Sequence, residues 1–292
     1  MRAALLTDRA VIRITGADAA RFLNGLVTSE VAALVPGEAR FTALLTPQGK
    51  IIADFLLVAI AEDDGGGFVI DAPRALADDL LKRLAFYRLR AKVDIAARLE
   101  LAVAVVLDGT PPEDLGLAYD DPRAAGLGKR VVLPAEGAEA TLVAVGFALG
   151  NESEWEARRI AFGVPEGGKD FTYGDTFPHE ANMDQLAGVD FEKGCFIGQE
   201  VVSRMQHRGS ARNRVVPVAY DGAAPLPGID AKVGERNVGF MGSAVGGRGL
   251  AMLRLDRVAE GMASGETLSA GGVALTLAKP SWANFPFPGE SA

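Results

Sequence analysis

The change in hydrophobic pattern near residue 212 constrains the fold more than any other feature of this sequence. Before it, RAVIRITG and KIIADFLLVAIA alternate like strands, whereas DAARFLNGLV and SEWEARRIAFG switch to helical spacing. After it, short apolar stretches such as RNVGFMGSAV and RGLAMLRL are broken by glycine, a pattern typical of a small all-β barrel or sandwich. The sequence therefore predicts an α+β fold class, followed by a separate β domain.

The length of 292 residues is sufficient for two or three domains, at roughly 100–200 residues for each. We predict a discontinuous first α+β domain made of residues 1–40 and 101–208. Residues 41–100 form the predicted second α+β domain, and residues 209–292 form a C-terminal β-barrel domain.

Charge and N-terminal sequence limit the class of partner and the location that we expect. A net charge of −8 argues against a protein that grips nucleic acid by its phosphates, so no stable nucleic-acid binding is expected. The segment MRAALLTDRAVIRITG shows neither a signal-peptide core nor a basic transit pattern, and no apolar run reaches the ~18 residues of a membrane span. We therefore expect a cytoplasmic protein with no membrane partner.

A protein-held metal site is not expected, because the chain has two histidines and one cysteine, without a CxxC pair or an HExxH motif. The single cysteine, Cys195, lies in FEKGCFIGQE ahead of a short helical pattern. A helix N-terminus and the neighbouring Lys193 favour the reactive thiolate, whereas Glu192 and Glu200 oppose it, so the direction of the effect stays open. The alternative is a small structural residue packed in a tight turn.

The segment KGCFIGQE, preceded by PHEANMDQLAGVDFE, resembles the signature of the YgfZ family. These are folate-binding proteins related to the glycine-cleavage T-protein, with eukaryotic relatives that are mitochondrial iron–sulfur assembly factors. Further stretches continue the resemblance over nearly the whole chain, among them LLTPQGKIIADFLL, YRLRAKVDI, DPRAAGLGKR, EARRIAFGVPE and the closing KPSW.

The resemblance implies three domains arranged around a central folate-binding opening, and it implies tetrahydrofolate or a one-carbon derivative as the cofactor. Arg159, at the end of a helix that resembles the arginine-bearing helix of the T-protein, is then the first expected folate contact. Glu180 and Asn182 are expected at the pterin edge, and Lys193 and Arg123 are expected to pair with an anionic group. For each arginine the alternative is a solvated helix face.

The resemblance further implies an accessory protein for the assembly or repair of iron–sulfur enzymes, including tRNA-modifying ones. Cys195 would be its reactive thiol, and its partners would be assembly proteins or client enzymes that meet it as a monomer. The enzyme alternative is a folate-dependent one-carbon (aminomethyl) transferase of the T-protein type. Asp78 or Asp79 falls near the T-protein aspartate, but the surrounding pattern is absent, and the T-protein lacks the cysteine. A third possibility is a scaffold that folate merely stabilises.

Overall fold

The computed structural model describes residues 1–209 and 211–289. It divides the chain into two compact units. The first unit comprises Met1–Trp155 and Ala187–Gln199, and the second comprises Glu156–Leu186 and the chain from Glu200 onward. Among the described residues, no helix combines the length and the apolar character that crossing a membrane requires.

The first unit contains two five-stranded sheets and three α-helices. Its strands are β1 (Arg2–Leu5), β2 (Arg9–Thr15), β3 (Ala39–Leu45), β4 (Ile51–Ala59), β5 (Phe68–Pro73), β6 (Asp94–Ala97), β7 (Leu101–Asp108), β8 (Leu117–Asp120), β9 (Lys129–Pro134) and β10 (Ala148–Leu149). Its helices are α1 (Ala19–Asn24), α2 (Ala77–Arg88) and α3 (Ala138–Ala144). Short 3₁₀ turns lie at Glu62–Asp64, Arg74–Leu76 and Glu113–Leu115.

One sheet of the first unit has the order β3-β4-β5-β2-β6, and all its pairs are antiparallel. Helices α1 and α2 supply Leu23, Leu80 and Leu84 to its core, where Ile12 and Phe55 also lie. Leu80 and Leu84 are four residues apart and therefore share one helix face. Burial of this face against the sheet explains why a segment with several charged residues forms a stable helix.

The other sheet of the first unit has the order β10-β1-β7-β9-β8. The pair β1–β10 is parallel, and the remaining pairs are antiparallel. Its core combines Val106, Val131 and Leu133 from the strands with Leu142 from α3 and with Phe147. The strand residues come from LAVAVVLD and KRVVLP, valine-rich stretches of the kind that favours β-strands.

The second unit is dominated by a seven-stranded antiparallel sheet of order β16-β15-β12-β13-β14-β11-β17. Its strands are β11 (Asn213–Ala219), β12 (Asp230–Val233), β13 (Arg236–Val245), β14 (Arg248–Arg254), β15 (Leu268–Ala270), β16 (Val273–Ala274) and β17 (Thr276–Leu277). Helix α6 (Leu255–Ala263) packs Leu255 and Val258 into the core of this sheet. The chain passes from one unit to the other at three points: within α4 (Glu152–Ala161), after Leu186, and within α5 (Gln199–Arg208).

The structure distributes the chain differently from the predicted domain division: Glu156–Leu186, within the predicted first domain, belong to the second unit, and one early strand changes sheet. Strand β2, which lies within residues 1–40 of the predicted first domain, is hydrogen-bonded between β5 and β6 in the sheet of the predicted second domain. Strand β1, only a few residues earlier, belongs to the other sheet. Strand patterns identify strands, but they do not identify pairing partners, which depend on long-range contacts.

Two helices begin at other residues than the local sequence signals indicate. Pro73 ends β5, and α2 begins only at Ala77 after a 3₁₀ turn. For α4, Ser153 and the Glu156 three residues later match the sequence of a capping box, but the helix begins already at Glu152. The side-chain oxygen of Asn151 accepts a hydrogen bond from the backbone N–H of Glu154, at 3.2 Å, and another from the hydroxyl of Ser153. Asn151 was available as a better N-cap, one residue before the helix.

Candidate functional site: the Cys195 loop

Cys195 lies in the first unit, on a loop that runs from Gly188 to Gly198 and is called the Cys195 loop below. Its side chain is a free, exposed thiol. The next residue, Phe196, is buried, and Ile197 packs against the core that α1 and α2 share with their sheet. The loop is therefore anchored next to the thiol while the thiol itself faces solvent.

The beginning of the loop is fixed by hydrogen bonds to Thr28, which is fully buried. The hydroxyl of Thr28 donates to the carbonyl of Gly188 at 2.6 Å, and the backbone N–H of Asp190 donates to the carbonyl of Thr28 at 3.0 Å. The carboxylate of Asp190 then accepts from the backbone N–H groups of Glu192 and Lys193, at 2.9 and 3.1 Å. These contacts set the backbone that leads into Cys195.

Lys193 ties the loop to the segment after α1. Its ammonium donates to the backbone carbonyls of Asn24, Val27 and Ser29, at 2.9, 2.8 and 2.7 Å, so each of its three protons has an acceptor. Desolvation lowers the pKa of Lys193 to about 8, although the charges of Glu30 and Asp190 act in the opposite direction. Sequence analysis predicts Lys193 as an anion partner, but in this structure its donors bind the protein's own backbone.

Two glycines flank the thiol, and they have different reasons to be glycine. Gly198 has φ +82°, and a Cβ there would lie 2.6 Å from the carbonyl oxygen of Thr46, so a side chain is excluded. A Cβ at Gly194 would meet nothing within 4 Å. Gly194 therefore leaves open space beside Cys195, whereas Gly198 allows the loop to approach the β3–β4 turn and enter α5 at Gln199.

Arg159 is enclosed by acceptors of the second unit, and its side chain is 0% exposed. Its guanidinium donates to Asp170 at 2.5 Å, to the carbonyl of Val164 at 2.8 Å and to the hydroxyl of Ser243 at 2.7 Å. Glu156 accepts two further hydrogen bonds, and Glu166 forms an ion pair with the guanidinium at 3.2 Å. We call these residues the Arg159 cluster.

The electrostatics of the Arg159 cluster follow from that enclosure. Burial by itself lowers the pKa of Arg159, but the carboxylates of Asp170, Glu166 and Glu156 outweigh it and raise the pKa above its ordinary value. All three guanidinium nitrogens have acceptors in the cluster. The predicted folate contact through Arg159 would therefore require the displacement of one of these acceptors.

Glu180 and Asn182 hold strand β11 within the second unit. Asn182 is fully buried with φ +58°, and its amide donates to the carbonyl of Val215 at 2.6 Å. The carboxylate of Glu180 accepts from the side-chain amide of Asn213 at 2.9 Å and from the backbone N–H of Phe177 at 2.8 Å. Glu180 and Asn182, which sequence analysis expects at the pterin edge of a folate, thus both form hydrogen bonds within the protein.

Arg123 belongs to a buried group of charges in the first unit. It forms a bidentate pair with Asp121, at 2.9 and 2.6 Å, and its guanidinium lies 5.8 Å from the centre of the Trp155 ring. Desolvation raises the pKa of Asp121, but Arg123 and Arg130 lower it to about 2. With the carboxylate of Asp121 as its partner, Arg123 has a structural role in this structure.

Two cavities bear on ligand binding. A cavity of about 370 Å³ in the second unit is lined by Glu180. The rest of its wall consists of apolar side chains, one asparagine and two arginines: Phe177, Val201, Met205, Ala211, Arg212, Asn213 and Arg254. A larger cavity of about 800 Å³ in the first unit is lined by none of the predicted site residues. The smaller one lies within the usual volume range of ligand sites, which is roughly 300–1,000 Å³.

Several important residues were missed by sequence reasoning. Thr28, Asp190 and the carbonyls after α1 shape the Cys195 loop, yet they are up to 169 positions away from the residues that they hold. The segment VTSE carried no signal for this role, because a backbone acceptor has no sequence signature. Asp78 and Asp79 lie on the exposed side of α2, where Asp79 pairs with Arg83 at 2.6 Å.

Metal ligands are not grouped in the described residues: no cluster of three or more His, Cys, Asp or Glu side chains is placed to hold an ion. Chemically, the Cys195 loop offers one exposed thiol with open space on one side. Such a group can act as a nucleophile, or it can provide one ligand to a soft metal centre that a second protein also holds.

Comparison with known proteins places the chain in a family. Residues 6–100 match the family described as the GCVT N-terminal domain, and residues 212–285 match the CAF17 C-terminal beta-barrel domain. The mitochondrial iron-sulfur cluster assembly factor IBA57 of Homo sapiens is 33% identical, over 95% of this chain and 84% of its own length. The chain belongs to the IBA57 family. The Mus musculus protein is 31% identical over the same shares, and the homolog of Pyricularia oryzae is 30% identical over 91% of this chain and 75% of its length.

The solved structure of the glycine cleavage system aminomethyltransferase T from Bartonella henselae shares the fold. Its TM-score is 0.75 at 18% sequence identity, and the match covers 98% of this chain and 87% of that one. The predicted α+β fold class with a C-terminal β-barrel is thereby confirmed for this member of the IBA57 family. The relation to T-protein-like domains is confirmed too, while the narrower resemblance to YgfZ stays a prediction.

The predicted cytoplasmic location is contradicted by these relatives. The IBA57 proteins of human, mouse and Pyricularia oryzae are all named as mitochondrial. The prediction was drawn from composition and from the first residues alone. Neither reflects the compartment in which a folded domain of this family works.

Proposed function

We propose that this chain acts in iron–sulfur cluster assembly and that Cys195 is the thiol that contacts the cluster or the protein that carries it. The observation that carries the proposal is the geometry of the Cys195 loop. The only thiol in the chain is exposed, while Lys193, Asp190 and Phe196 hold the backbone around it. The names of the IBA57 relatives support the same role.

A single thiolate cannot retain a cluster by itself, since clusters usually have about four cysteine ligands. The cluster is then a cargo, and the remaining ligands come from a partner. Cys195 would provide one ligand during transfer, and the open space at Gly194 would admit the partner. We propose assembly proteins or client iron–sulfur enzymes, including tRNA-modifying ones, as partners of a monomeric chain.

We also propose that a tetrahydrofolate derivative binds this chain. The cavity around Glu180 suits such a molecule, because Phe177 and Met205 provide apolar walls, Glu180 can accept from a pterin edge, and Arg212 and Arg254 can pair with carboxylates. Bound folate would supply a one-carbon carrier. Arg159, Asn182, Lys193 and Arg123 do not line this cavity, and they donate hydrogen bonds to other groups of the protein.

The cluster role is tested by restoring iron–sulfur enzyme activity in cells that lack the chain. Cys195→Ser should fold, because the side chain is exposed, and should fail to restore activity. Full restoration by Cys195→Ser would show that the sulfur is not used.

Folate binding is tested separately by calorimetry with tetrahydrofolate. At a ligand concentration ~100 times Kd, binding should stabilise the native state by about 2.7 kcal/mol. Glu180→Gln should weaken binding, whereas Lys82→Gln, on the exposed side of α2, should not. The absence of heat and of any melting shift in the unmodified chain would contradict this part.

The second candidate function is aminomethyl transfer. The match of residues 6–100 to the GCVT N-terminal domain favours it. The test is formation of methylene-tetrahydrofolate with the other glycine-cleavage components. We expect no turnover; activity that collapses in Asp78→Asn or Asp79→Asn would favour the transferase instead.

A further inference from the structure

The end of α2 and the residues after it form a strongly basic stretch in an acidic chain. Residues 82–92, KRLAFYRLRAK, hold five cationic side chains and no carboxylate, whereas the whole chain has a net charge of −8. All five side chains are exposed: Lys82, Arg83, Arg88, Arg90 and Lys92. Arg83 is paired with Asp79 at 2.6 Å, on the preceding turn of α2. We call this stretch the α2 end.

Two large apolar side chains project from the middle of this basic surface. Phe86 is 76% exposed and Leu89 is 87% exposed. The helix has already placed Leu80 and Leu84 on its buried face, so Phe86 belongs to the opposite face, one turn after Lys82 and Arg83. Neither side chain contributes appreciable burial to this chain.

The backbone conformation of Leu89 is unusual for a residue with a large side chain. With φ +44° and ψ −105°, Leu89 occupies a region that glycine adopts easily and a leucine adopts only with strain. Helices commonly end on glycine for this reason. Here the strained position carries a leucine that buries almost nothing within this chain.

Helix electrostatics explain only part of this surface. Cations near a helix C-terminus interact favourably with the helix dipole, and the guanidinium of Arg88 donates to the carbonyl of Val93 at 3.4 Å. That accounts for Arg88, but it does not account for Phe86 or Leu89. It also does not require Arg90 and Lys92, which follow the last helical residue.

We propose that the α2 end binds the surface of a membrane that contains anionic lipids. The cations would pair with lipid phosphates, and Phe86 and Leu89 would enter the boundary between headgroups and acyl chains. A single-stranded nucleic acid would use Phe86 for stacking but has no use for an aliphatic side chain such as Leu89. Protein interfaces are depleted in lysine, and the α2 end carries two.

This contact requires no spanning helix, and it does not depend on the proposed role in cluster assembly. The remainder of the chain is acidic and would be repelled by an anionic surface. The protein would consequently approach the membrane in one orientation, with the α2 end foremost.

The test is co-sedimentation of the full chain with vesicles of phosphatidylcholine alone and with vesicles that also contain phosphatidylglycerol. We expect binding only to the second kind, and we expect it to weaken as salt is added. Phe86→Ser and Leu89→Gly should each weaken partitioning about tenfold. Leu89→Gly should keep or raise the melting temperature, because glycine relieves the backbone strain, so any loss of binding is not a loss of folding.

Matched controls lie in the second unit. Leu226→Gly removes another exposed leucine, and Arg248→Glu reverses another exposed cation; both should bind as the unmodified chain does. Arg90→Glu, in contrast, should weaken binding. Equal binding to both kinds of vesicle, no binding to either, or unchanged binding by Leu89→Gly would overturn the proposal. So would binding to RNA through Lys82 and Arg90 in a chain that ignores vesicles.

Discussion

The Cys195 loop and the Arg159 cluster both surround a cationic side chain with oxygen acceptors, and they differ in what they leave exposed. Lys193 gives its protons to three backbone carbonyls, and the loop that it anchors presents a thiol to solvent. Arg159 gives its protons to carboxylates, a hydroxyl and a carbonyl, and none of its side chain is exposed. The first arrangement displays a reactive group, whereas the second joins α4 to the strand that carries Ser243.

The difference shows how to separate a binding residue from a structural one. In both regions the charged residue with the clearest sequence signal is the one whose donors are used inside the protein. The group that remains available, Cys195, is small and uncharged as a thiol. We therefore expect the functional group of this chain to be Cys195, beside the anchoring cation Lys193, and not the cation itself.

The largest effect should come from Arg159→Met. It leaves Asp170, which is fully buried, without its main counter-charge, and we expect a loss of about 3–5 kcal/mol in the free energy of unfolding. Urea titration measures this. Arg204→Met removes an exposed pair with Glu200 and should change stability by less than about 1 kcal/mol. A stable Arg159→Met chain with weakened folate binding would instead make Arg159 a ligand contact.

The two glycines of the Cys195 loop provide a matched pair. Gly198→Ala places a Cβ against the carbonyl of Thr46 at a positive φ, so we expect destabilisation of about 1–3 kcal/mol. Gly194→Ala meets no neighbouring atom and should stay within about 0.5 kcal/mol of the unmodified chain. Thermal melts compare the two. Equal destabilisation by both would mean that the space at Gly194 is not open.

Lys193→Met should cost about 1–2 kcal/mol, because methionine cannot donate to the carbonyls of Asn24, Val27 and Ser29. Hydrogen exchange should become faster in residues 190–197, whereas Lys82→Met should leave it unchanged. Unchanged hydrogen exchange of residues 190–197 in Lys193→Met would show that Lys193 does not anchor the loop.

The lowered pKa of Lys193 gives the same residue a pH signature. Since the pKa is about 8 in the native state and 10.5 ordinarily, the unfolded chain binds more protons between these values, and stability should rise with pH across this window. This dependence should be reduced in Lys193→Met. A Lys193 side chain that titrates near 10.5 by NMR would contradict it.

Much of the fold was predictable, because alternating strands such as β2 and β4 and the buried face of α2 are local patterns. The cysteine motif was likewise readable from sequence. The roles of Lys193 and Arg159 were not. The acceptors of Lys193 are 164 or more positions away, and those of Arg159 combine nearby residues such as Asp170 with the distant Ser243, which only the fold brings together. Sequence shows that a charge is present, but burial and partners decide whether that charge is available to a ligand.

The role of Cys195 is tested most sharply by its alkylation in the native chain, followed by an in vitro assay of cluster transfer to an acceptor enzyme. We expect that the exposed thiol reacts without denaturant, that the melting temperature is unchanged, and that transfer is lost. A thiol that reacts only after unfolding, or an alkylated chain that still supports transfer, would contradict the claim that this loop exists to present its sulfur.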